Sequence, residues 1–165
     1  MWVGKPKEDQ LELCKLDYKH FDKKICERFP NLFLQRTFDM TVSCMFWGFD
    51  IPQGWRWILW ELCEQLEVFE KNLGVKIQFS QIKEKFGGAR FYYDITEISE
   101  ALDQKTVSEI ISVLVCNAEN KCNYYCSGSG EILSHDKEEV VIVGYSKYNK
   151  EWIDKNKEEN EQKTN

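Results

Sequence analysis

Histidine is scarce in this chain, with His20 and His135 the only two among 165 residues. Any histidine general base, Ser-His-Asp triad or Cys-His pair must therefore use one of them. His20 stands in a charged stretch between Lys19 and Phe21, and His135 stands in a polar turn beside Asp136, so both read as surface residues rather than bases. The signatures G-x-x-x-x-G-K-S/T, G-x-G-x-x-G and H-E-x-x-H are absent, which removes the common phosphate-loop, dinucleotide and zinc-protease chemistries. Abundant Asp and Glu leave two-carboxylate chemistry open. Long apolar runs are also lacking: Ile110 to Val115 falls far short of the roughly 18 residues that span a bilayer. The N-terminus turns charged at Lys5 and Lys7 without the apolar stretch of a signal peptide. The expected place is the cytoplasm, where thiols stay reduced, and no membrane association is expected. Excess positive charge is missing too. A net charge of −6 argues against a nucleic-acid binder, which would present a basic face, and is compatible with a basic protein partner.

What is present is material for a core. The chain is 42% hydrophobic and 14% aromatic with six Trp, enough for one domain of this length to fold without disulfides or metal. Seven Cys make an odd number, and Cys63 and Cys116 sit in apolar surroundings that suit small buried hydrophobes. Cys122 and Cys126 form a lone pair at a spacing zinc tolerates, with His135 as a third ligand at best. The expectation is no metal and no cofactor.

Leu11, Cys14, Tyr18, Phe21, Ile25 and Cys26 recur every three or four residues and predict one amphipathic helix over 8–27, stopped by Pro30. Met40 to Asp50 reads as a short extended piece, followed by a turn at Pro52-Gln53-Gly54. Trp55, Ile58, Leu59, Leu62, Leu66, Phe69 and Leu73 then keep helical period up to Gly74, a natural stop. Trp57 and Trp60 lie off that stripe, so this helix is expected to be covered on two sides. Val75, Ile77 and Phe79 alternate with polar residues as a half-buried strand, and Ala89 to Tyr93 forms a second. Between them Gly87-Gly88 supplies the positive φ of a hairpin turn. Asp94 to Glu97 and Thr106 to Glu109 both resemble capping boxes, so one kinked helix or two in series are expected over 96–119. Asn123 to Gly130 reads as a loop, and 131–133 and 139–145 as strands. Past Trp152 the chain is almost wholly Lys, Glu, Asn and Gln, which predicts a frayed tail over 153–165 after a single domain over 1–152. The fold class is therefore α+β: a small antiparallel sheet built from hairpins, packed against a long amphipathic helix and one or two further helices.

Residues 81–93 are the most unusual. Lys83, Glu84, Lys85 and Arg90 crowd a glycine turn inside an aromatic hairpin, and Arg90 beside Phe91 and Tyr92 suits bidentate reading of a carboxylate or phosphate. The run Gln81-Ile82-Lys83-Glu84-Lys85-Phe86-Gly87-Gly88-Ala89-Arg90-Phe91-Tyr92 resembles the signature Q-V/I-K-E-K-F-G-G-L-R-F-Y of an uncharacterised family of small phage and prophage proteins. Phe29-Pro30-Asn31-Leu32-Phe33, Cys44 to Phe49, Gly54-Trp55 and the stretch from Ala118-Glu119 to Gly130 resemble it as well, so the likeness spans roughly 29–130. Family members often carry a zinc knuckle at the C-terminal end. Here Asn123 and Ser127 replace its first Cys and Gly, no Cys or His follows Trp152, and the knuckle is degenerate.

The resemblance implies a phage- or prophage-encoded accessory protein. The missing catalytic set points to binding rather than enzymatic action, as in an inhibitor of a host defence component. Lys83, Glu84, Lys85, Arg90, Trp47, Trp57 and Trp60 are the candidate partner-binding residues. The alternatives are a nucleic-acid-binding or enzymatic module that uses the basic tip, an immunity-type protein that neutralises a toxin, and a zinc-stabilised module.

Overall fold

The computed structural model describes residues 7–49, 51–125, 132–134 and 141–143. Its elements run α1 (Glu8–Lys15), α2 (Tyr18–Arg28), three single-turn 3-10 helices (Leu34–Thr37, Cys44–Trp47, Gln53–Trp55), α3 (Arg56–Leu73), β1 (Lys76–Lys85), β2 (Gly88–Glu97), α4 (Gln104–Tyr125), β3 (Ile132–Ser134) and β4 (Val141–Val143). The class is α+β, with a small antiparallel hairpin packed against a long helix and further helices. No helix among the described residues is long and apolar enough to cross a membrane. The expected tail over 153–165 and His135 lie outside the described residues.

α3 is the organising helix. Its buried Ile58, Leu59, Leu62, Cys63 and Leu66 supply the centre of the core, and it ends at Gly74 in the left-handed conformation, as expected. On one side α1 lies across its first turns. Gln10 Nε2 donates to Glu61 Oε1 at 3.0 Å, and buried Arg56 donates to the Leu13 carbonyl at 3.4 Å and to the Leu16 carbonyl. Those carbonyls lie at the C-terminal end of α1, where the last C=O groups of a helix have no N–H of their own helix to accept from, and Arg56 supplies the missing donor. The expected single helix over 8–27 is therefore two. The break falls at Asp17, whose carboxylate accepts the His20 N–H at 3.0 Å and restarts the chain as an N-cap.

On the other side, α4 presents Val107, Ile111, Val115, Ala118 and Cys122, one stripe at helical spacing, to α3 and β2. It is a single unbroken helix. Its start is set by Asp103, which accepts from the Thr106 N–H at 3.2 Å and the Thr106 hydroxyl at 2.5 Å. Thr106 is thus the partner of a cap and not the cap, and Asp94 to Glu97 is strand rather than capping box, because Ile95 pairs with Ile77 across the sheet. Cys63 is buried as expected, whereas Cys116 is exposed on the outer side of α4.

The hairpin is longer than the sequence pattern suggested. Its pairs run Lys76 with Glu97, Ile77 with Ile95, Phe79 with Tyr93, Gln81 with Tyr92, Ile82 with Phe91, Lys83 with Arg90 and Lys85 with Gly88. Ser80 is the extra residue of a bulge, which keeps Ile82 and Phe91 on the same face as Phe79 and Tyr93. The turn is Phe86-Gly87, with φ of 54° and 79°, one residue earlier than the expected Gly87-Gly88. Positive φ at both central residues is what a two-residue hairpin turn demands.

Each edge of this two-stranded sheet is covered over part of its length, which reduces the hazard of open strand edges. Phe79 N–H donates to the Leu32 carbonyl at 2.8 Å and Ile77 N–H to Glu70 Oε2 at 3.3 Å. On the β2 edge, Ala89 N–H donates to Asn123 Oδ1 at 2.8 Å and Phe91 N–H to Glu119 Oε2 at 3.1 Å. Burial raises the Glu119 carboxyl above its ordinary pKa. A carboxyl raised on folding contributes stability below its unfolded pKa and loses it as pH rises through the folded value. Glu119→Gln, which keeps the acceptor without the charge, should therefore raise Tm at pH 7 by roughly 1–3 °C and give no gain below pH ~4. Melting curves at the two pH values check this.

β3 and β4 pair antiparallel with Ile132 opposite Val143; β4 lies within the expected 139–145, and β3 runs one residue past the expected 131–133, to Ser134.

Candidate interaction site

Residues 40–49 do not form the expected extended piece, and the whole of 29–49 is irregular. They wrap round the β1 edge as turns and two short 3-10 helices that lie against each other and against β1. Buried aromatics fix the wrap. Phe33 packs on Phe79 of β1 at 5.3 Å between ring centroids and stacks on Phe49 at 5.5 Å, and Phe49 meets the edge of Phe21 of α2 at 6.3 Å. A chain of rings thus joins the helices to the sheet through this segment.

Polar groups fix its outer part. Arg36 donates from Nε (3.1 Å) and Nη2 (2.9 Å) to the two oxygens of Asp22, and from Nη1 to the carbonyls of Met45 (2.7 Å) and Phe46 (2.9 Å). The Asp22 carboxylate raises the Arg36 pKa further, so the guanidinium is a permanent charge. Ser43 donates to Gln35 Oε1 at 2.6 Å, and Gln35 Nε2 donates to Asp94 Oδ2 at 2.8 Å and Gln78 Oε1 at 3.4 Å. The Ser43 hydroxyl also accepts from Met45 N–H at 3.2 Å.

This frame holds apolar side chains out in solvent. Trp47 is 71% exposed and Val42 70%, and Leu34, Met40 and Phe46 are exposed as well. Phe46 and Trp47 meet edge to face at 5.2 Å. The segment ends at Gly48, whose φ is 76° and where a Cβ would collide with the Tyr18 hydroxyl. Gly48→Ala should destabilise the fold by about 2 kcal/mol or more, since strain and collision act together. Thermal unfolding checks the loss, and adding Tyr18→Phe should restore only the collision part.

The hairpin supplies a second exposed strip. Arg90, Tyr92 and Asp94 alternate along β2 and share a face, opposite Lys83, Gln81 and Gln78 of β1. Gln35 binds Asp94 and Gln78, so the aromatic loop is anchored to the base of the same face whose far end carries Lys83 and Arg90. Lys83 Nζ lies 5.4 Å from the Tyr92 ring centre and Lys85 Nζ 5.6 Å from that of Phe86. Glu84 is not part of an open fork, because its carboxylate accepts the Gly87 N–H and closes the turn.

Of the seven candidate residues, Trp47, Lys83, Lys85 and Arg90 stand at this surface. Trp57 is corrected: it is 2% exposed, because α1 closes the side of α3 that carries Trp57 and Glu61. Trp60 is half-buried with its ring against Phe29 at 5.1 Å and is chiefly a packing residue. Pattern reading missed Phe46, Val42, Phe86 and the framing Arg36, Gln35 and Ser43. The available signal was the run Met45-Phe46-Trp47-Gly48, in which consecutive large apolar residues end at a glycine without any strand or helix period.

Other chemistry is thin. His20 is exposed, and its ring contacts Asp17, the cap of its own helix. Among the described residues no three His, Cys, Asp or Glu side chains gather as a metal site requires; Cys122 is buried in α4 and Cys126 lies outside the described residues. A cleft of about 630 Å³ lined by Phe29, Asn31, Glu70 and Lys76 holds one carboxyl raised by burial, Glu70. That carboxylate is engaged by Asn31 Nδ2 at 2.5 Å and by the Ile77 N–H, which makes it a tie between α3 and β1. No protein-family model, no curated protein and no solved structure matches the chain.

Proposed function

We propose that this chain is a phage- or prophage-encoded accessory protein that acts in the cytoplasm by binding a host protein, as an inhibitor of a defence component does. In this reading it is not an enzyme and uses no cofactor. The phage assignment rests on the resemblance of residues 81–93. The binding assignment rests on one observation: Trp47 is 71% exposed on a segment tied down by Arg36, Gln35 and Ser43. An exposed Trp on a mobile loop loses entropy when it docks, whereas a ring held in place beforehand does not. Rigid, exposed aromatics with apolar neighbours are the anchors on which protein interfaces concentrate their energy.

The test is affinity capture from a lysate of the host bacterium with the intact chain, with Trp47→Ala, and with Val113→Ala. Val113 is exposed on α4 and serves as control. The expected result is one stoichiometric partner held by the first and third and lost by Trp47→Ala, a drop of about 2 kcal/mol or more in binding. Equal recovery by all three, or no partner with any, counts against the reading.

A further inference from the structure

We infer that the outer face of the β1–β2 hairpin reads anions, and that its ligand is a carboxylate-rich segment of the protein partner; this rests on the binding reading above. Lys83 and Arg90 are direct cross-strand partners, an arrangement that costs stability because like charges face each other. Lys85 stands two residues further along the same strand. Among the described residues none of the three has an acidic group within ion-pairing distance; Lys19, Lys24 and Lys105 have none either, but those stand on α2 and α4, whereas Lys83, Lys85 and Arg90 lie together on one hairpin. Acids are not in short supply, since the chain has 28 Asp and Glu against 22 Lys and Arg. The nearest in sequence, Glu84, is taken up by the Gly87 N–H. Arg90 is partly engaged, donating to the Ala89 carbonyl at 2.9 Å with the Glu119 carboxyl nearby, so Lys83 and Lys85 carry most of the strip's charge toward an anion from outside.

The turn points the same way. Phe86 is 80% exposed and sits at a φ of 54°, in the left-handed region. Asn, Asp or Gly would fit that position with less strain and would expose no ring. A large apolar residue held there at a double cost gains nothing for the fold and is suited to contact. With Tyr92 it sets aromatic surface beside each lysine. Such a strip suits a segment that mixes acidic and apolar side chains. A polyphosphate fits it worse: Asp94 shares the face, Glu119 lies near Arg90, and three cations are few for tracking a nucleic-acid backbone.

The probes are a short poly-glutamate peptide and a single-stranded oligothymidine of equal charge, each titrated at low salt while amide NMR shifts are followed. The peptide should move the signals of residues 83–92, and Lys83→Glu should weaken it at least about tenfold. That same substitution makes the cross-strand pair attractive, so its Tm should rise, and lost binding cannot be blamed on lost fold. Shifts caused by the oligothymidine and not by the peptide would overturn the proposal in favour of a nucleic-acid surface. No shift with either probe, or shifts indifferent to Lys83→Glu, would overturn it outright. A silent hairpin alongside Trp47-dependent capture strikes down this inference alone; peptide binding without such capture supports the anion surface and strikes down the function proposed above.

Discussion

Phe33→Ala should lower the unfolding free energy by about 3–5 kcal/mol, the usual cost of emptying a buried phenylalanine site. Phe33 is 2% exposed and touches two further buried rings, Phe49 and Phe79. Neither neighbour can collapse into the space without leaving its own contact, so relaxation should recover little. For a chain of this length the loss corresponds to a fall in Tm of roughly 8–15 °C. The effect should extend beyond stability. Phe33 is the wedge between the aromatic segment and β1, so below the melting transition the amides of 34–48 should exchange faster in this variant. Thermal unfolding and hydrogen exchange read the two effects separately.

Arg36→Ala comes next, with an expected loss of about 2–4 kcal/mol. The substitution deletes four hydrogen bonds. It also leaves the Asp22 carboxylate, whose side chain is only 18% exposed, without its cation. Losing one partner of a shielded ion pair costs more than the pair contributes, because the remaining charge stays poorly solvated. Arg36→Lys should recover only a minority of the loss. A single ammonium cannot meet a carboxylate bidentately and reach two carbonyls in the same plane. Denaturant unfolding of the three proteins gives the order directly. The Met45 and Phe46 carbonyls are released in both variants, so partner binding through Trp47 should weaken even where the fold survives.

The elements legible in the sequence were those whose signal is local and periodic. α3 could be bounded because its apolar stripe ends at Gly74, and the hairpin because β-rich runs flank a glycine turn. Errors arose where two local rules competed. Gly87-Gly88 looked like the turn because glycine adopts positive φ freely, yet Phe86 takes the first turn position. Placing the turn there sets Ile82 against Phe91, and the burial of that pair outweighs the strain of one residue. Asp94 to Glu97 matched a capping pattern, but pairing of Ile95 with Ile77 offered burial that a helix start did not. The Asp17 and Asp103 caps were readable and overlooked, since each precedes by three residues the N–H it binds.

The site was less legible, for a physical reason. Exposure of an aromatic depends on which elements pack over it, and that is a long-range property. Trp57 and Trp47 have equal standing in the sequence; α1 covers the first, and the 3-10 turn before Gly48 turns the second outward. Helix period already indicated that α3 is covered on two sides, and that reading, followed through, would have placed Trp57 inside. The charged hairpin was visible because its residues are neighbours in sequence. Its join to the aromatic loop was not, because it runs through Gln35, Gln78 and Asp94, which nothing in the linear pattern brings together.

Hydrogen exchange of the free chain and of its complex with the captured partner probes the account at its centre. In the free protein the amides of Met45, Phe46 and Gly48, bonded to Ser43 Oγ, the Ser43 carbonyl and the Met45 carbonyl, should already exchange slowly. Binding should add protection over residues 40–48 and 83–92 and leave the outer side of α4 unchanged. Fast exchange at those three amides before binding, or new protection confined to α4, would contradict a preformed aromatic site.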